Sequence, residues 1–409
     1  MDPAWDIVVL GAGAAGLVAA ARAAELGRRV LLLEKNRKPG VKILMSGGTR
    51  CNLTHATDNR GIVEAYGPPG RFLHSALAAL SVQDTVKLFE DEGVATKVEP
   101  TGKIFPVSNR ALDVLDALLR RLHRSGATLA LGEPVTELNA TADGFAVVTP
   151  LRTVAAKWVI LTTGGRSYPG SGTTGDGYRI AAAFGHTIVP PRPALTPITT
   201  DAPWVAALRG VTLPDVQLRV QQDGQKLAAR RGSLLFAHFG LTGPVALDVS
   251  RVVSGHPEPR ALHLEIDLLP AVAEAEFDRF LQAEALASGK KQLANVLATH
   301  LPHRLAETLL TLTGQPADRK AAGLSRGDRG KLVAAAKRLR VPVTGTLGFE
   351  KAEVTAGGVS LDEVDSRTMQ SKRQPDLYLA GEVLDLDGWI GGYNFQSAWS
   401  TGWLAGQHF

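Results

Sequence analysis

Asp6-Ile7-Val8-Val9-Leu10-Gly11-Ala12-Gly13-Ala14-Ala15-Gly16 is the segment of this 409-residue chain that most clearly indicates its fold. It is a short apolar run that ends in Gly-x-Gly-x-x-Gly, and an alanine-rich helical pattern follows from Leu17 to Leu26. A second apolar run, 30–33, ends at Glu34. This order predicts a strand, a tight turn, a helix and a second strand closed by an acid, which is typical of a Rossmann-like dinucleotide site.

The three glycines and the acid each have a physical task in this prediction. Gly11 permits the tight turn, Gly13 leaves the backbone open to a pyrophosphate, and Gly16 lets the helix pack closely on the strand. The free N–H groups at the helix start attract phosphate oxygens. Glu34 is placed to accept both ribose hydroxyls, which favours FAD or NAD over NADP. The alternative is a glycine-rich turn in an ordinary α/β protein.

Composition sets broad limits on the class of protein. Hydrophobic residues make up 44% and charged residues 21% of the chain, as in soluble globular proteins, and the length predicts two or three domains. The single cysteine excludes an intramolecular disulfide and a cysteine-rich metal site, so no metal is expected. The apolar stretch 7–21 is broken by three glycines and is neither a signal peptide nor a membrane span. We therefore expect a cytoplasmic protein with no membrane partner.

Periodicity along the chain predicts a dinucleotide-binding domain with two insertions. The predicted domain is formed by 1–190 and 345–409, the first insertion, 191–270, is β-barrel-like, and the second, 271–344, is small and helical. The first domain is predicted to hold a glycine-rich loop at 35–55, helices at 72–92 and 111–125, a turn at 105–108, and strands at 128–131, 135–140, 144–148 and 158–162. The first insertion is predicted to hold strands at 216–220, 234–237, 245–249 and 262–266.

A second glycine cluster lies near the C-terminal end. A predicted strand, 376–381, is followed by Glu382 and then by Gly391-Gly392-Tyr393-Asn394, where a helical pattern begins. A second helix start in a glycine-rich loop is a second place that stabilises negative charge. NAD needs one such place, whereas a flavin gains from another near the pyrimidine edge of its ring, where charge develops on reduction. The alternative is that these glycines only cap and pack a helix.

Further motifs give the chain a resemblance to a known family. Besides the first glycine turn, they lie at 34–36, 42–52, 163–169, 174–178, 236–244, 355–359 and 380–394. Together they resemble the BaiN/RdsA family of FAD-dependent oxidoreductases, within the glutathione-reductase-type flavoprotein fold. The resemblance covers essentially the whole chain and implies an α/β fold with a Rossmann-like FAD-binding domain. Thr49, where glycine is expected, and Trp389-Ile390, where Tyr-Thr is commoner, depart from the family pattern, and both lie where a substrate could reach the flavin.

FAD is the expected cofactor, and several segments are expected to bind it. The loop 46–52 would line the ring and ribityl chain, Glu382 would bind ribityl hydroxyls, and Asn394 with its helix would stabilise the reduced ring. There is no clear second Gly-x-Gly-x-x-Gly, so any NAD(P)H is expected to bind transiently over the flavin. The full set of expected cofactor-binding residues is Gly11, Gly13, Ala14, Ala15, Gly16, Glu34, Lys35, Lys42, Ser46, Gly47, Asn52, Val135, Thr163, Gly164, Gly165, Gly381, Glu382, Gly391, Gly392, Tyr393 and Asn394.

Three residues are candidates for a catalytic role, each with a structural alternative. His238 could be a proton donor or an orienting group, or a packed core histidine. Cys51 could be a proton donor or redox thiol, or a small buried thiol. Arg50 could hold a phosphate or a substrate carbonyl, or form a structural salt bridge. Asp176 is predicted to cap a helix.

The family resemblance implies several substrates. Its members are associated with carbon–carbon double-bond reduction, including uracil to dihydrouridine in ribosomal RNA, with reduction of unsaturated steroid-like acids, and with oxidation of small amino ketones. Three functions therefore stay open: an NAD(P)H-driven reductase of a conjugated double bond in RNA or a small molecule, an amine oxidase that uses oxygen, and a non-catalytic flavin sensor or RNA scaffold.

One segment bears on RNA binding. Residues 289–340 hold 11 Lys and Arg residues against three acids, a balance of +8, whereas the whole chain carries +5. A basic helical module is typical of a phosphate-binding surface. The alternative is a solvated helical surface, and because the segment has no Phe, Trp or Tyr, any RNA contact there would be to the backbone.

Overall fold

The structure is a computed structural model that describes residues 5–287 and 289–409. Among these residues the strands are β1 Trp5–Leu10, β2 Val30–Glu34, β3 Thr54–His55, β4 Thr96–Val98, β5 Lys103–Pro106, β6 Thr128–Leu131, β7 Glu137–Thr141, β8 Gly144–Val148, β9 Thr153–Leu161, β10 Ile188–Ala194, β11 Ile198–Thr199, β12 Thr212–Gln222, β13 Gln225–Ala237, β14 Gly240–Thr242, β15 His263–Asp267, β16 Leu339–Pro342, β17 Gly345–Thr346, β18 Val354–Val359 and β19 Leu377–Leu379.

The helices are short. They are α1 Ala14–Glu25, α2 Val41–Thr49, α3 Asn59–Tyr66, α4 His74–Ala79, α5 Val82–Asp91, α6 Ala111–Arg124, α7 Asp176–Ala183, α8 Pro203–Ala207, α9 Pro244–Gly255, α10 Glu274–Ala287, α11 Leu293–Leu297, α12 His303–Leu312, α13 Arg326–Lys337 and α14 Tyr393–Ala405. A membrane span needs about 20 apolar residues. Within the described part of the chain, no helix has the length and apolar character to cross a membrane.

The described residues form two compact units, one within Met1–Pro193 and Glu353–Phe409 and the other Ala194–Ala352. In the first unit the sheet order is β6-β2-β1-β9-β8-β7, and β19 also pairs with β9. The pairs β6–β2, β2–β1, β1–β9 and β9–β19 are parallel, whereas β8 pairs antiparallel with both β9 and β7. The predicted α/β class and the N-terminal strand–turn–helix–strand are confirmed. The carboxyl ends of β1, β9 and β19 therefore meet at one edge of the sheet, which brings the two glycine clusters together.

Four local predictions are wrong. The loop 35–55 contains α2, and the turn at 105–108 begins inside β5. The predicted helix 72–92 is two helices, because Leu80 is extended and the Ser81 side chain caps α5. The strand predicted at 245–249 is part of α9. Pro244 suits the first position of a helix, where no N–H is needed, so it starts α9 rather than a strand.

The second unit, Ala194–Ala352, combines a sheet with helices. Its strands run in the order β16-β15-β12-β13-β14-β11-β17, and each neighbouring pair in this order is antiparallel. One hydrophobic cluster contains residues of the sheet and of the helices, including Leu218 and Val220 of β12, Leu309 of α12 and Leu332 of α13. The division of this part of the chain into a β-barrel-like module at 191–270 and a helical module at 271–344 stays a prediction.

Candidate functional site

The first glycine turn follows β1. Gly11 has φ +103°, and a Cβ there would lie 2.9 Å from the Thr162 carbonyl oxygen. A Cβ on Gly16 would lie 1.9 Å from the Gly11 carbonyl oxygen and 2.6 Å from Thr162 Oγ1. These two glycines let α1 cross closely over β1 and the end of β9, because a methyl group would collide with backbone.

Gly13 differs from its neighbours. It precedes α1 in extended conformation, and no side chain caps this helix start, where Ala14 and Ala15 contribute their N–H groups. A Cβ on Gly13 would meet no atom of the described residues within 4 Å. Backbone donors with open space in front fit a bound anionic group such as a pyrophosphate.

Glu34 ends β2 and is only 8% exposed. Its Oε2 accepts from the Ala12 N–H at 2.8 Å, and its Oε1 accepts from the Asn36 N–H at 2.8 Å. These two bonds fix the carboxylate beside the glycine turn. Val135 is half-buried just before β7. It follows Glu133, whose N–H donates to the Glu34 carbonyl at the end of β2.

Lys35 is directed to α7. Its Nζ lies 2.5 Å from Asp176 Oδ2 and 2.6 Å from Thr174 Oγ1. Asp176 is the first residue of α7, and the preceding residue, Gly175, is the N-cap. The prediction that Asp176 caps this helix is therefore wrong, and its carboxylate instead holds Lys35 and Thr174.

A polar network joins α2 to the ends of β9 and β19. Lys42 Nζ lies 2.8 Å from Glu382 Oε2 and donates to Ser167 Oγ at 2.6 Å. Ser167 Oγ donates to Glu382 Oε1 at 2.7 Å, and the Thr355 N–H donates to the same oxygen at 2.9 Å. Both charged side chains keep some exposure, 28% for Lys42 and 20% for Glu382. The pair could therefore offer a cation and a carboxylate to the hydroxyls of a bound ligand.

The segment after β9 is tightly packed. Thr163 Oγ1 is buried and has no hydrogen-bond partner among the described residues. Gly164 has φ +73°, and a Cβ on Gly165 would lie 2.4 Å from Thr355 Oγ1. A side chain at Gly165 would disrupt Thr355, which accepts from the N–H groups of Arg166 and Ser167.

The second glycine cluster starts α14. Gly391 and Gly392 have φ +126° and +97°, and a Cβ on Gly392 would lie 2.5 Å from the backbone of Thr54. Gly392 is the N-cap of α14, which begins at Tyr393, and no side chain caps it. Gly381, after β19, also has positive φ, and its Cβ would lie 2.9 Å from Ala15. The starts of α1 and α14 thus lie on the same edge of the sheet.

Asn394 holds the loop that precedes α14. Its Nδ2 donates to the carbonyl oxygens of Gly388 and Trp389 at 3.1 and 3.2 Å, and its Oδ1 accepts from the Gly388 N–H at 2.8 Å. The hydroxyl of Tyr66 donates to the Tyr393 carbonyl at 3.0 Å. The Asn394 amide therefore acts on the loop, while the start of α14 supplies the positive end of a helix dipole.

The Ser46–Asn52 segment makes a left-handed turn at the end of α2. Gly47, Gly48 and Thr49 have φ of +56°, +67° and +68°. The left-handed region explains why glycine is expected at Thr49, since a β-branched residue is strained there. The Ser46 hydroxyl bonds the Ile43 carbonyl. Asn52 Oδ1 is buried and has no partner among the described residues, so it could accept a bond from a ligand.

Cys51 is fully buried in the hydrophobic cluster around α1. Burial raises the pKa of the Cys51 thiol to about 12, which a hydrogen bond from Ser46 offsets only in part. A thiol of this kind is not a thiolate at neutral pH. These observations favour the packed thiol over the redox role.

We expect Ellman's reagent at pH 8 to modify Cys51 in the native protein roughly 1000-fold more slowly than in the unfolded chain, because about 10⁻⁴ of a thiol with that pKa is ionised, against about 10⁻¹ of an ordinary cysteine thiol. Cys51→Ala serves as the control for non-specific colour. Rapid, stoichiometric modification of the native protein would favour a reactive cysteine instead.

Arg50 is engaged with its neighbours. Its Nη1 lies 2.6 Å from Glu99 Oε1, and its guanidinium lies over the Phe105 ring at 4.0 Å from the centroid. These contacts favour the salt-bridge alternative.

His238 belongs to the second unit, where it is exposed and its ring meets that of Phe239 edge to face, with centroids 4.9 Å apart. The alternative of a packed core histidine is therefore wrong, and a catalytic role for His238 stays a prediction.

Sequence reasoning did not assign roles to four residues that hold this site together. Ser167 and Thr355 lie in the motifs of the family resemblance, which was the one signal that pointed to them. Tyr66 is fully buried, and a Cβ on Gly388 would lie 2.8 Å from its ring. His55 stacks on Tyr393 with centroids 4.6 Å apart, and its Nδ1 lies 3.0 Å from the Gly391 carbonyl oxygen. No sequence pattern marks these last two, because their partners are over 300 residues away.

Known proteins resemble this chain in sequence and in fold. A family model described as "HI0933-like protein Rossmann domain" matches residues 5–408. The chain is 37% identical over 406 residues to the ribosomal RNA dihydrouridine synthase of Escherichia coli (strain K12), covering 98% of this chain and 97% of that protein. It is 32% identical over 408 residues to the 3-dehydro-bile acid delta(4,6)-reductase of Clostridium scindens, covering 98% of both. The solved structure of 3-ketosteroid delta1-dehydrogenase from Sterolibacterium denitrificans aligns with a TM-score of 0.51 over 99% of both chains at 15% identity, which shows a shared fold.

Proposed function

Because the chain belongs to the HI0933-like Rossmann family of FAD-dependent oxidoreductases, we propose that it reduces a conjugated carbon–carbon double bond with electrons from NAD(P)H. The proposed substrate is uracil in ribosomal RNA, because a relative that matches nearly the whole chain bears that activity in its name. A small unsaturated ketone or acid is the second candidate, supported by the match to the bile acid reductase.

The observation that carries the cofactor site is the meeting of two uncapped helix starts at one edge of the sheet. FAD, when bound, supplies the hydride chemistry, and the protein supplies placement, charge and access. The pyrophosphate binds at the start of α1, in the open space before Gly13. The start of α14 would hold the pyrimidine edge of the ring, because its helix dipole stabilises negative charge.

The remaining residues fit the parts of FAD between these two ends. Glu34 binds the ribose of the adenosine, and the Lys42–Glu382 pair binds ribityl hydroxyls. Asn52 Oδ1 and Thr163 Oγ1 are buried polar atoms without protein partners among the described residues, and a bound ligand would satisfy them. NAD(P)H binds only transiently, over the flavin ring.

The donor and the reaction class are tested by anaerobic mixing of the FAD-loaded protein with NADH, NADPH and aminoacetone. We expect a pyridine nucleotide to bleach the flavin absorbance. Bleaching by aminoacetone alone, with hydrogen peroxide formed on admission of air, would make the protein an amine oxidase. If the flavin keeps its full absorbance with every donor, the remaining function is a non-catalytic flavin sensor or RNA scaffold.

The RNA substrate has a separate test. Ribosomal RNA from a strain without this protein is incubated with the FAD-loaded enzyme and NAD(P)H, and dihydrouridine is measured by mass spectrometry of nuclease digests. We expect a gain of 2 Da at one uridine, matched by the absence of that dihydrouridine in the untreated RNA. Unchanged RNA, together with reduction of a small unsaturated ketone, would favour the second candidate.

A further inference from the structure

The basic segment 289–340 is less cationic in the structure than in the sequence. Six of its cations form ion pairs with carboxylates: Lys291, Arg319, Arg329, Lys331, Lys337 and Arg338. Four of the carboxylates lie outside the segment, at Asp267, Glu274, Asp278 and Glu284. Arg304 donates to backbone carbonyls of Ala207 and Arg209. The tertiary structure thus neutralises much of the charge that suggested an RNA-binding surface here.

A different cationic surface lies beside the proposed flavin ring. The strands β3, β5 and β4 form a small antiparallel sheet in that order. In its register His55 is opposite Lys103, and Lys97 is opposite Phe105. Opposite residues share a face and successive residues alternate, so these four side chains are on one face. Arg50 covers Phe105 on that face at 4.0 Å.

The other face of this sheet belongs to the core. Thr54 and Ile104, which alternate with His55 and Lys103, are 0% and 5% exposed. The opposite face carries Arg50, His55, Lys97 and Lys103, each half-buried, while Phe105 on that face is 2% exposed beneath Arg50. We name these four residues the cationic sheet face. One of these cations, Arg50, is paired with the carboxylate of Glu99. Among the described residues, Lys97 and Lys103 have no ion-pair or side-chain hydrogen-bond partner.

The cationic sheet face adjoins the place where the reaction is proposed to occur. Thr54 contacts the N-cap of α14, and the His55 ring stacks on Tyr393, the first residue of that helix. Arg50 follows directly on the Gly47–Thr49 turn. The surface is thus continuous with the two segments expected to surround the flavin ring.

From this placement we propose that the cationic sheet face binds the sugar–phosphate backbone of single-stranded RNA and leads a uracil to the flavin. The proposal rests on RNA as the substrate of the proposed function. Two unpaired lysines beside the half-buried His55 ring combine phosphate neutralisation with a ring on which a base could stack, as in single-strand binding sites. A small unsaturated ketone has no anionic group for Lys97 and Lys103 to neutralise, and a small monocarboxylic acid has only one.

The test is a pair of double variants of the FAD-loaded protein, titrated into a fluorescein-labelled 12-nucleotide oligouridylate and followed by anisotropy. We expect Lys97→Ala/Lys103→Ala to weaken binding roughly 30-fold at 50 mM salt. The slope of log K against log salt should fall by about 1.4, since each phosphate contact on a single strand contributes about 0.7. Flavin absorbance per chain, measured on the same samples, reports whether the variant has folded.

The matched control is Lys290→Ala/Lys320→Ala, which removes two exposed lysines of the second unit that also have no ion-pair partner among the described residues. We expect it to bind as the unmodified protein does. If Lys97→Ala/Lys103→Ala binds RNA with wild-type affinity and salt slope, or if the control loses more affinity, the cationic sheet face does not bind RNA. Dihydrouridine formation by the unmodified protein would still support RNA as the substrate in that case. Absence of both RNA binding and dihydrouridine formation in the unmodified protein would overturn the RNA substrate as well.

Discussion

Gly13→Val is expected to fold and to lose its flavin. The backbone at Gly13 is extended, with φ −84° and ψ −166°, which valine adopts without strain. No atom of the described residues lies within 4 Å of the added Cβ, so a side chain at this position enters open space. It does occupy the space in which the pyrophosphate is proposed to approach the start of α1. We expect at least about 100-fold weaker FAD binding, because the anion loses contact with several backbone donors.

The measurement is FAD content per chain after gel filtration, with far-ultraviolet circular dichroism as the test of folding. Gly330→Val is the matched control, since Gly330 in α13 also has open space around an added Cβ and no positive φ. We expect the control to keep its flavin. A folded Gly13→Val protein that still binds stoichiometric FAD would show that the pyrophosphate does not bind at this turn.

Asn394→Asp is expected to retain FAD but to lower its midpoint potential. The substitution keeps the acceptor for the Gly388 N–H and replaces two donated bonds by a carboxylate facing two carbonyl oxygens. It loosens the loop and adds negative charge near the proposed pyrimidine edge, where reduction adds more. A cost of about 1–3 kcal/mol corresponds to roughly 20–65 mV for a two-electron couple. We expect a decrease of that size, with flavin reduction about 10- to 100-fold slower.

The potential is measured by dye-coupled titration, and Asn139→Asp provides the control. Asn139 is exposed on β7, so the same charge change there is screened by solvent. An unchanged potential in Asn394→Asp would mean that the start of α14 does not face the flavin ring.

The strongest sequence predictions concern residues whose task is local. Gly11 and Gly16 are needed where backbone meets backbone, and the structure places each against carbonyl or hydroxyl oxygens closer than a methyl group allows. By contrast, a short apolar run does not fix its own secondary structure. Val245 and Val249 are consistent with a strand, but together with Val253 they form the buried side of α9. The spacing of four residues becomes visible only over a longer window.

The net charge of a sequence segment predicted the charge of the folded surface poorly. The +8 balance of 289–340 counts neighbours in sequence, whereas ion pairs form between neighbours in space, and four of the compensating carboxylates come from outside the segment. The cationic sheet face could not be predicted from sequence for the same reason, because its residues come from three strands and the end of α2.

Sequence alone was enough to predict the α/β class, the first glycine turn, the second glycine cluster and membership of an FAD-dependent family, because backbone geometry at glycine and helix starts is a local property. Tertiary structure alone decided that Asn394 holds a loop, that Lys42 and Glu382 form a pair, and that Lys97 and Lys103 share a face with His55. These arrangements depend on which strands pair and in what register, and that is set by the packing of segments far apart in the chain.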